Sequence, residues 1–431
     1  MRWTLATLRD FGERIEDAAR GLGLDPYPVR FEIISPREMA EEEALLAMPT
    51  RYSHWSFGKA ADLSETARGF FGFGAAEIVA NANPSRAVLL DDNPLELQLL
   101  VMAHVMGHLD FFHHNRHFRE TQPETVLDRM AANRRRVGEI RRAMGERAVE
   151  RVLSAAHTIR FARPFPSSKN RPSLLRIVSE QGRDLADWER ELLRLVDEET
   201  EYFVPQLETK VLNEGWASYW QLKILERVSG IEDRIRDAMR IAHAGIALRF
   251  PNTEEGENPI QPYLVGFRLF QDIECRWDRK ASGILQQGEL WDGLTGREKL
   301  FLVRKVESDA SAVQNYLTEP LARHLLLFSD GIEGGWPAFA EFFPKMFGLL
   351  GSFPQLETVS TNLRNQGWLL LEHFGDEFRE LDADDTRWTL MHLFSLWRRP
   401  VVLRTGKWVY AADAEGVKIF DAEKSQQLPL P

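Results

Sequence analysis

The sequence predicts a mainly α-helical protein of the α+β class, with a small N-terminal sheet and a small C-terminal α/β region. Three observations predict it. Apolar residues recur at three- and four-residue steps through most of residues 94–328. Near the N-terminus, β-prone runs are confined to Val29–Ile34 and to residues 76–90. After Gly334-Gly335 the pattern changes, and short β-rich runs separated by turn residues return. A chain of 431 residues suggests two or three domains. The expected division is 1–165, 166–330 and 331–431.

Composition narrows the function classes. A net charge of −11 argues against a general binder of nucleic acid or of anionic membranes. Cys275 is the only cysteine, so no intramolecular disulfide is possible and a reducing compartment fits. The N-terminal residues lack the apolar core of a signal peptide, and no run of about 18 uncharged apolar residues occurs. The expectation is a cytoplasmic protein.

Taken in order, residues 3–22 have the pattern of an amphipathic helix, followed by a strand at Val29–Ile34 and a helix from Pro36 to about Ala47. Residues 48–59 form a polar and aromatic loop in which His54 and Trp55 are candidates to face a substrate. Residues 76–80 and 86–90 are two β-prone runs joined by the turn chemistry of Asn81–Ser85, a hairpin that feeds the next helix. That helix opens with Asn93 as N-cap, Pro94 at the first helical position and Glu96 as a capping-box carboxylate. Leu97, Leu100, Val101, His104, His108 and Phe111 then share one face. Charged helices run from Arg116 to about Arg160, and 163–172 is the clearest linker. Helices are expected at 185–201, at Leu207–Val228, around His243 and at Tyr263–Lys280, with an acidic loop over 251–259. Arg268, Asp272 and Arg276 are spaced as an ion-pair ladder. Residues 298–328 have the pattern of one long helical stretch, with Glu307, Ser311 and Asn315 along one side. The C-terminal region then offers helices at 341–349 and 386–397, and strands at 400–405, 407–411 and 416–421.

Five of the eleven histidines fall between His104 and His117. His104 and His108 are helical i,i+4 neighbours with Cβ atoms about 5–6 Å apart, the spacing at which two imidazoles meet on one ion. By itself such a pair is also compatible with partly buried structure. Far downstream, Leu212-Asn213-Glu214-Gly215-Trp216-Ala217-Ser218-Tyr219 resembles the glutamate helix of zinc aminopeptidases. There a glutamate joins two histidines of a first helix and leaves one metal position open. The candidate ligands are therefore His104, His108 and Glu214, and the candidate ion is Zn²⁺ or another divalent metal. Glu214 could equally pair with an arginine, and Trp216, Tyr219 and Trp220 suit a core. Where those peptidases carry a glutamate after the first histidine, this chain has Val105, which cannot carry a proton. Glu77, Asp110, His113 and His243 are candidates for that work, and Asp110 also suits a role as acceptor behind a ligand imidazole. Asn213 and Ser218 beside Glu214, and Asn258 and Tyr263 around the acidic loop, complete the candidate substrate-facing set.

With these motifs assembled, the chain resembles the SpoVR family, named for stage V sporulation protein R. The resemblance rests on Arg51–Lys59, the Glu77–Pro84 hairpin, His104–Phe112, Thr209–Ala217, Gly266–Glu274, Glu307-Ser308-Asp309 and Asn315–Thr318. It covers about residues 27 to 405. Two positions depart from the family pattern: His113-His114-Asn115 stands where Lys-Asn-Asn is expected, and Gln221 where a histidine is expected. The resemblance implies a zincin-like helical core and a cytoplasmic bacterial protein of spore cortex (peptidoglycan) formation or stress response. It also implies a peptide or cell-wall precursor amide as substrate and a pathway shared with a PrkA-type serine kinase. Valine at the second motif position is normal in that family. Two readings follow: a metal-dependent, hydrolase-like amide-processing enzyme, or a non-catalytic pseudo-peptidase scaffold that binds a regulatory partner.

Overall fold

Helices dominate and the sheets are small, as the periodicity predicts. The computed structural model describes residues 3–44, 77–164, 171–248, 260–285, 290–347, 353–374 and 380–422. In chain order the elements are α1 (Leu5–Gly21), β1 (Val29–Ile34), α2 (Pro36–Ala44), β2 (Glu77–Val79), β3 (Ser85–Leu90), α3 (Leu95–His114), α4 (Arg116–Arg119), α5 (Val126–Met144), α6 (Glu146–Ile159) and α7 (Leu174–Gln181). Then come α8 (Asp187–Glu208), α9 (Lys210–Arg227), α10 (Asp233–Ala247), α11 (Pro262–Ala281), α12 (Gly296–Val306), α13 (Asp309–Tyr316), α14 (Glu319–His324) and α15 (Gly335–Phe347). β4 (Gln355–Leu363), β5 (Trp368–Phe374), α16 (Ala383–Trp397), β6 (Val401–Thr405), β7 (Trp408–Asp413) and β8 (Gly416–Asp421) complete the chain.

The chain divides into two compact units, and both are discontinuous: Met1–Arg129 with Glu208–Pro344, and Met130–Leu207 with Lys345–Pro431. This differs from the consecutive thirds expected. Local periodicity and a Pro-rich linker locate elements, whereas unit membership depends on which distant faces bury one another.

In the first unit, β1 and β3 pair in parallel from Val29↔Ser85 to Ile34↔Leu90, and β2 adds antiparallel to the other edge of β3. The expected hairpin is present, and it places Glu77 on an edge strand. β3 leads into α3, where the Gln98 amide donates to the Leu90 carbonyl at 2.6 Å and ties helix to strand. Asn93 is not the N-cap. Pro94 holds that position without a side-chain bond, and the Asn93 carbonyl accepts from the Trp3 indole. α3 is also not one-faced: Gln98 through Phe112 are all buried, the mark of a central helix packed on every side.

Three helices of this unit meet at glycines. A Cβ on Gly107 of α3 would lie 2.5 Å from the Ala217 Cα of α9. On Gly215 of α9 it would lie 2.3 Å from the Gly266 carbonyl carbon of α11, and on Gly266 it would lie 2.0 Å from the Val211 carbonyl oxygen. Backbones therefore approach more closely than the usual 8–10 Å between helix axes allows for larger side chains. The first turn of α9 is capped from a distance, because the Val211 and Leu212 amides donate to the Asp309 carboxylate at 2.8 and 2.9 Å. Asp309 can do this because residues 298–328 are three helices and not one. Thr295, Ser308 and Thr318 each restart the helix as an N-cap. Of the ladder on α11, Arg276 pairs with Asp272 at 2.7 Å, while Arg268 donates to Gln271 instead.

The second unit carries a five-stranded sheet of order β4-β5-β6-β7-β8, antiparallel except for β5 and β6. The β4–β5 pair lies outside the strands expected from the sequence. Its turn contains Arg364 and Asn365 at positive φ, chemistry that a search for Gly-Pro punctuation passes over. Arg134, Arg135 and Arg136 are exposed, as expected of a solvated helix face. No helix among the described residues is long and apolar enough to cross a membrane.

The glycine contacts yield a prediction. Gly107→Ala and Gly215→Ala, read by denaturant unfolding, each lose about 1–3 kcal/mol of stability or more, because the added methyl meets backbone rather than a movable side chain. Gly138→Ala, whose Cβ would meet nothing within 4 Å, does not destabilise.

Candidate metal centre

The site is built where α3 and α9 cross. His104 and His108 flank Gly107 on α3, and Glu214 precedes Gly215 on α9, so the donor residues sit beside the glycine contacts. His104 meets Gln221 and His108 meets Asn213, so the two helices run past one another in opposite directions. The Glu214 Oε2 lies 3.4 Å from His104 Nε2 and 3.6 Å from His108 Nε2. Glu77 on β2 brings Oε1 to 3.8 Å from His104 Nε2. The rings of His104 and His108 stand edge to face with centroids 4.5 Å apart.

Each imidazole is held from behind. His104 Nδ1 is 2.6 Å from the Gln221 Oε1, and His108 Nδ1 is 2.9 Å from the Asn213 Oδ1. Amide oxygens only accept, so both rings carry a proton on Nδ1, and when neutral each turns its Nε2 lone pair towards Glu214. Two lone pairs facing a carboxylate oxygen repel unless positive charge lies among them. Gln221 uses its other end as well, where the Nε2 group donates to His243 Nδ1.

The charge balance points the same way. Among the described residues, only these imidazoles, charged when doubly protonated, lie in ion-pair range of Glu77 and Glu214. Burial pushes the Glu77 carboxyl up to about 6, against the pull of His104 and with help from the Glu214 charge. Burial also acts to raise Glu214, but the His108 and His104 imidazoles outweigh it and hold that carboxyl down to about 2. Burial and the neighbouring His104 lower His108 to about 4. His104 itself is raised, because its bond to Glu214 and the charges of Glu77 and Glu214 overcome burial. The Glu214 charge, then burial, drives the Tyr263 hydroxyl far above its usual range.

This donor set fits a divalent ion. Two donors bound tetrahedrally to one zinc at about 2.0–2.2 Å lie about 3.3–3.6 Å apart, and the two Nε2-to-Oε2 separations are of that size. His104, His108 and Glu214 can supply two neutral imidazoles and a carboxylate, and Glu77 with His104 and His108 forms a second overlapping triad.

The other expected residues fall into place as follows. Asn213 stands behind His108, and the Tyr263 ring lies 6.0 Å from that of His104. Ser218 is buried, with no hydrogen-bond partner for its hydroxyl among the described residues. His243 reaches the set only through Gln221. His54, Trp55 and Asn258 lie outside the described residues. Asp110 does not stand behind either ligand imidazole. It is fully buried and accepts from Arg304 at 2.6 and 2.7 Å, from the Trp216 indole at 2.9 Å and from the Asp25 amide at 2.8 Å. The expected acceptor role belongs to Gln221 and Asn213. The i,i+2 offset of Asp110 from His108 turns it to another face of the helix. Trp216, Trp220 and Tyr219 are buried in the core, as expected. Arg304 carried no signal in the sequence, and Gln221 stood out only as a departure from the family pattern.

The model of the family described as "SpoVR like protein" matches residues 2–164 and 161–333, and that of the "SpoVR-like C-terminal domain" matches 354–407. The chain belongs to the SpoVR-like family. It is also similar to the Escherichia coli (strain K12) protein described as "Uncharacterized protein YcgB", 26% identical over 478 residues covering 93% of this chain and 92% of that one. No solved structure matches.

Asp110 offers a direct test of its structural role. Asp110→Ala leaves the Arg304 guanidinium buried and unpaired, and is expected to cost about 3–5 kcal/mol in equilibrium unfolding.

Proposed function

We propose that the protein is a metal-dependent, hydrolase-like enzyme that processes amide bonds, with Zn²⁺ held by His104, His108 and Glu214. The observation that carries this reading is the convergence of both Nε2 atoms on one Glu214 oxygen at 3.4 and 3.6 Å. The edge-strand Glu77, the histidine helix and the antiparallel glutamate helix support a zincin-like core. When bound, the ion would supply Lewis-acid polarisation of a carbonyl and would acidify a water. The protein supplies the rest. Gln221 and Asn213 hold both imidazoles in the ligating tautomer. Glu77, within 3.8 Å of His104 Nε2, takes the proton-carrying work that Val105 cannot do. His243 anchors the Gln221 amide so that its oxygen faces His104. The substrate class, a peptide or cell-wall precursor amide in spore cortex formation or stress response, comes from the family resemblance, as does a PrkA-type kinase as pathway partner.

Metal content of purified protein tests the centre. Wild type is expected to retain zinc through gel filtration, while His108→Ala and Glu214→Gln lose it from this site. Gln221→Ala and Asn213→Ala lower its affinity about 10–100-fold. If zinc is equally absent from wild type and His108→Ala, the reading fails.

A second reading, a pseudo-peptidase scaffold for a regulatory partner, is favoured by one observation: Val105 is fully buried and apolar where a catalytic glutamate would stand. Glu77→Gln separates the two. With peptide p-nitroanilides and muropeptide fragments as probes, the enzyme reading expects metal content to be retained and turnover to fall about 10²–10⁴-fold. The scaffold reading expects no turnover in wild type with any metal, and undiminished capture of the kinase by Glu214→Gln.

A further inference from the structure

His113 and His114 close α3 and take no part in the centre above. Neighbours on a helix diverge by about 100°, yet both rings turn to Asp25. His113 Nδ1 lies 3.3 Å from Asp25 Oδ2, and His114 Nε2 lies 3.7 Å from the same oxygen. His113 Nδ1 donates to the Asp25 backbone carbonyl at 2.8 Å, a proton that an ion on this nitrogen would displace, and the two imidazole centroids are 4.5 Å apart. The three side chains can each offer one donor atom within 4.8 Å of the others.

A further observation points to a ligand. His114 Nε2 is buried but has no hydrogen-bond partner among the described residues. The carboxylate oxygens that face it, Asp25 Oδ2 at 3.7 Å and Asp110 Oδ1 at 3.8 Å, are too distant to bond it directly. The Asp25 separation is slightly beyond the about 3.3–3.6 Å of two donors on one zinc, a gap that a small side-chain shift closes. The nearby cations are already engaged. Arg20 takes Asp25 Oδ1 at 3.1 Å, and Arg304 takes Asp110, which leaves Asp25 Oδ2 as the anionic donor. The end of α3 adds its own partial negative charge, and the Tyr27 ring, 4.5 Å from that of His113, supports the imidazole.

We propose that Asp25, His113 and His114 form a second divalent transition-metal site at the C-terminal end of the helix that carries His104 and His108. Two imidazoles with carboxylate and carbonyl oxygens suit zinc, nickel or copper(II) over calcium or magnesium. The site stands apart from the His104–His108–Glu214 centre and does not depend on it.

The test is zinc titration of the chelator-stripped full chain in competition with a chromophoric chelator. Wild type is expected to show two classes of sites. His114→Asn and His113→Gln lose the weaker class, with affinity reduced at least tenfold, and keep the tighter one, while His108→Ala does the reverse. The proposal is overturned if His114→Asn and His113→Gln titrate like wild type, or if His108→Ala abolishes all binding. If His114→Asn removes all binding and His108→Ala removes none, the second site stands and the centre proposed above falls.

Discussion

The structure of the first unit depends on one steric constraint, the contact of helix backbones at Gly107, Gly215 and Gly266. Side chains as short as glutamate and histidine reach a common point from two helices only if the helices are close. Gly107 lies between the two histidines and Gly215 directly follows Glu214, so the closest contacts are also the places where the donors project. The residues that allow the crossing and the residues that use it are neighbours in the chain.

Polar groups then hold the crossing in place. Asp309 replaces a local cap for the glutamate helix, and Asp110 gathers Arg304, Trp216 and the Asp25 amide around the histidine helix. Each of these buried acids accepts from at least two donors, although burial still pushes the Asp309 carboxyl up to about 8 against its two backbone amides. Glu77 and Glu214 differ from them. The groups facing them are imidazoles, whose charge is conditional. Two kinds of buried acid thus share one core: Asp110 and Asp309 accept from fixed donors, an arginine and an indole in one case and backbone amides in both, whereas Glu77 and Glu214 face imidazoles.

The first unit also shows how valine at position 105 is compatible with the arrangement of the two histidines. Val105 packs into the core next to His104 without disturbing the i,i+4 pair. The orientation of the imidazoles comes from the facing helix, through Gln221 and Asn213. The residue at the second motif position therefore leaves the placement of His104 and His108 alone.

Much of this was legible in the residues themselves. Periodicity located the histidine and glutamate helices, turn chemistry located the hairpin bearing Glu77, and i,i+4 spacing put His104 and His108 on one face, because each depends on a few consecutive residues. The same local logic misjudged residues 298–328, where caps at Ser308 and Thr318 interrupt an apolar pattern that continues across them. It also passed over the β4–β5 pair, whose turn uses Arg364 and Asn365. The sequence by itself determined which residue types are available to hold a cation and on which helices they lie. Only the tertiary structure decided that Gln221 and Asn213 orient the imidazoles while Asp110 binds Arg304, and that His113 and His114 converge on Asp25. Those pairings span from 88 to 194 residues, and no local period encodes which distant side chain will fill a given hydrogen bond.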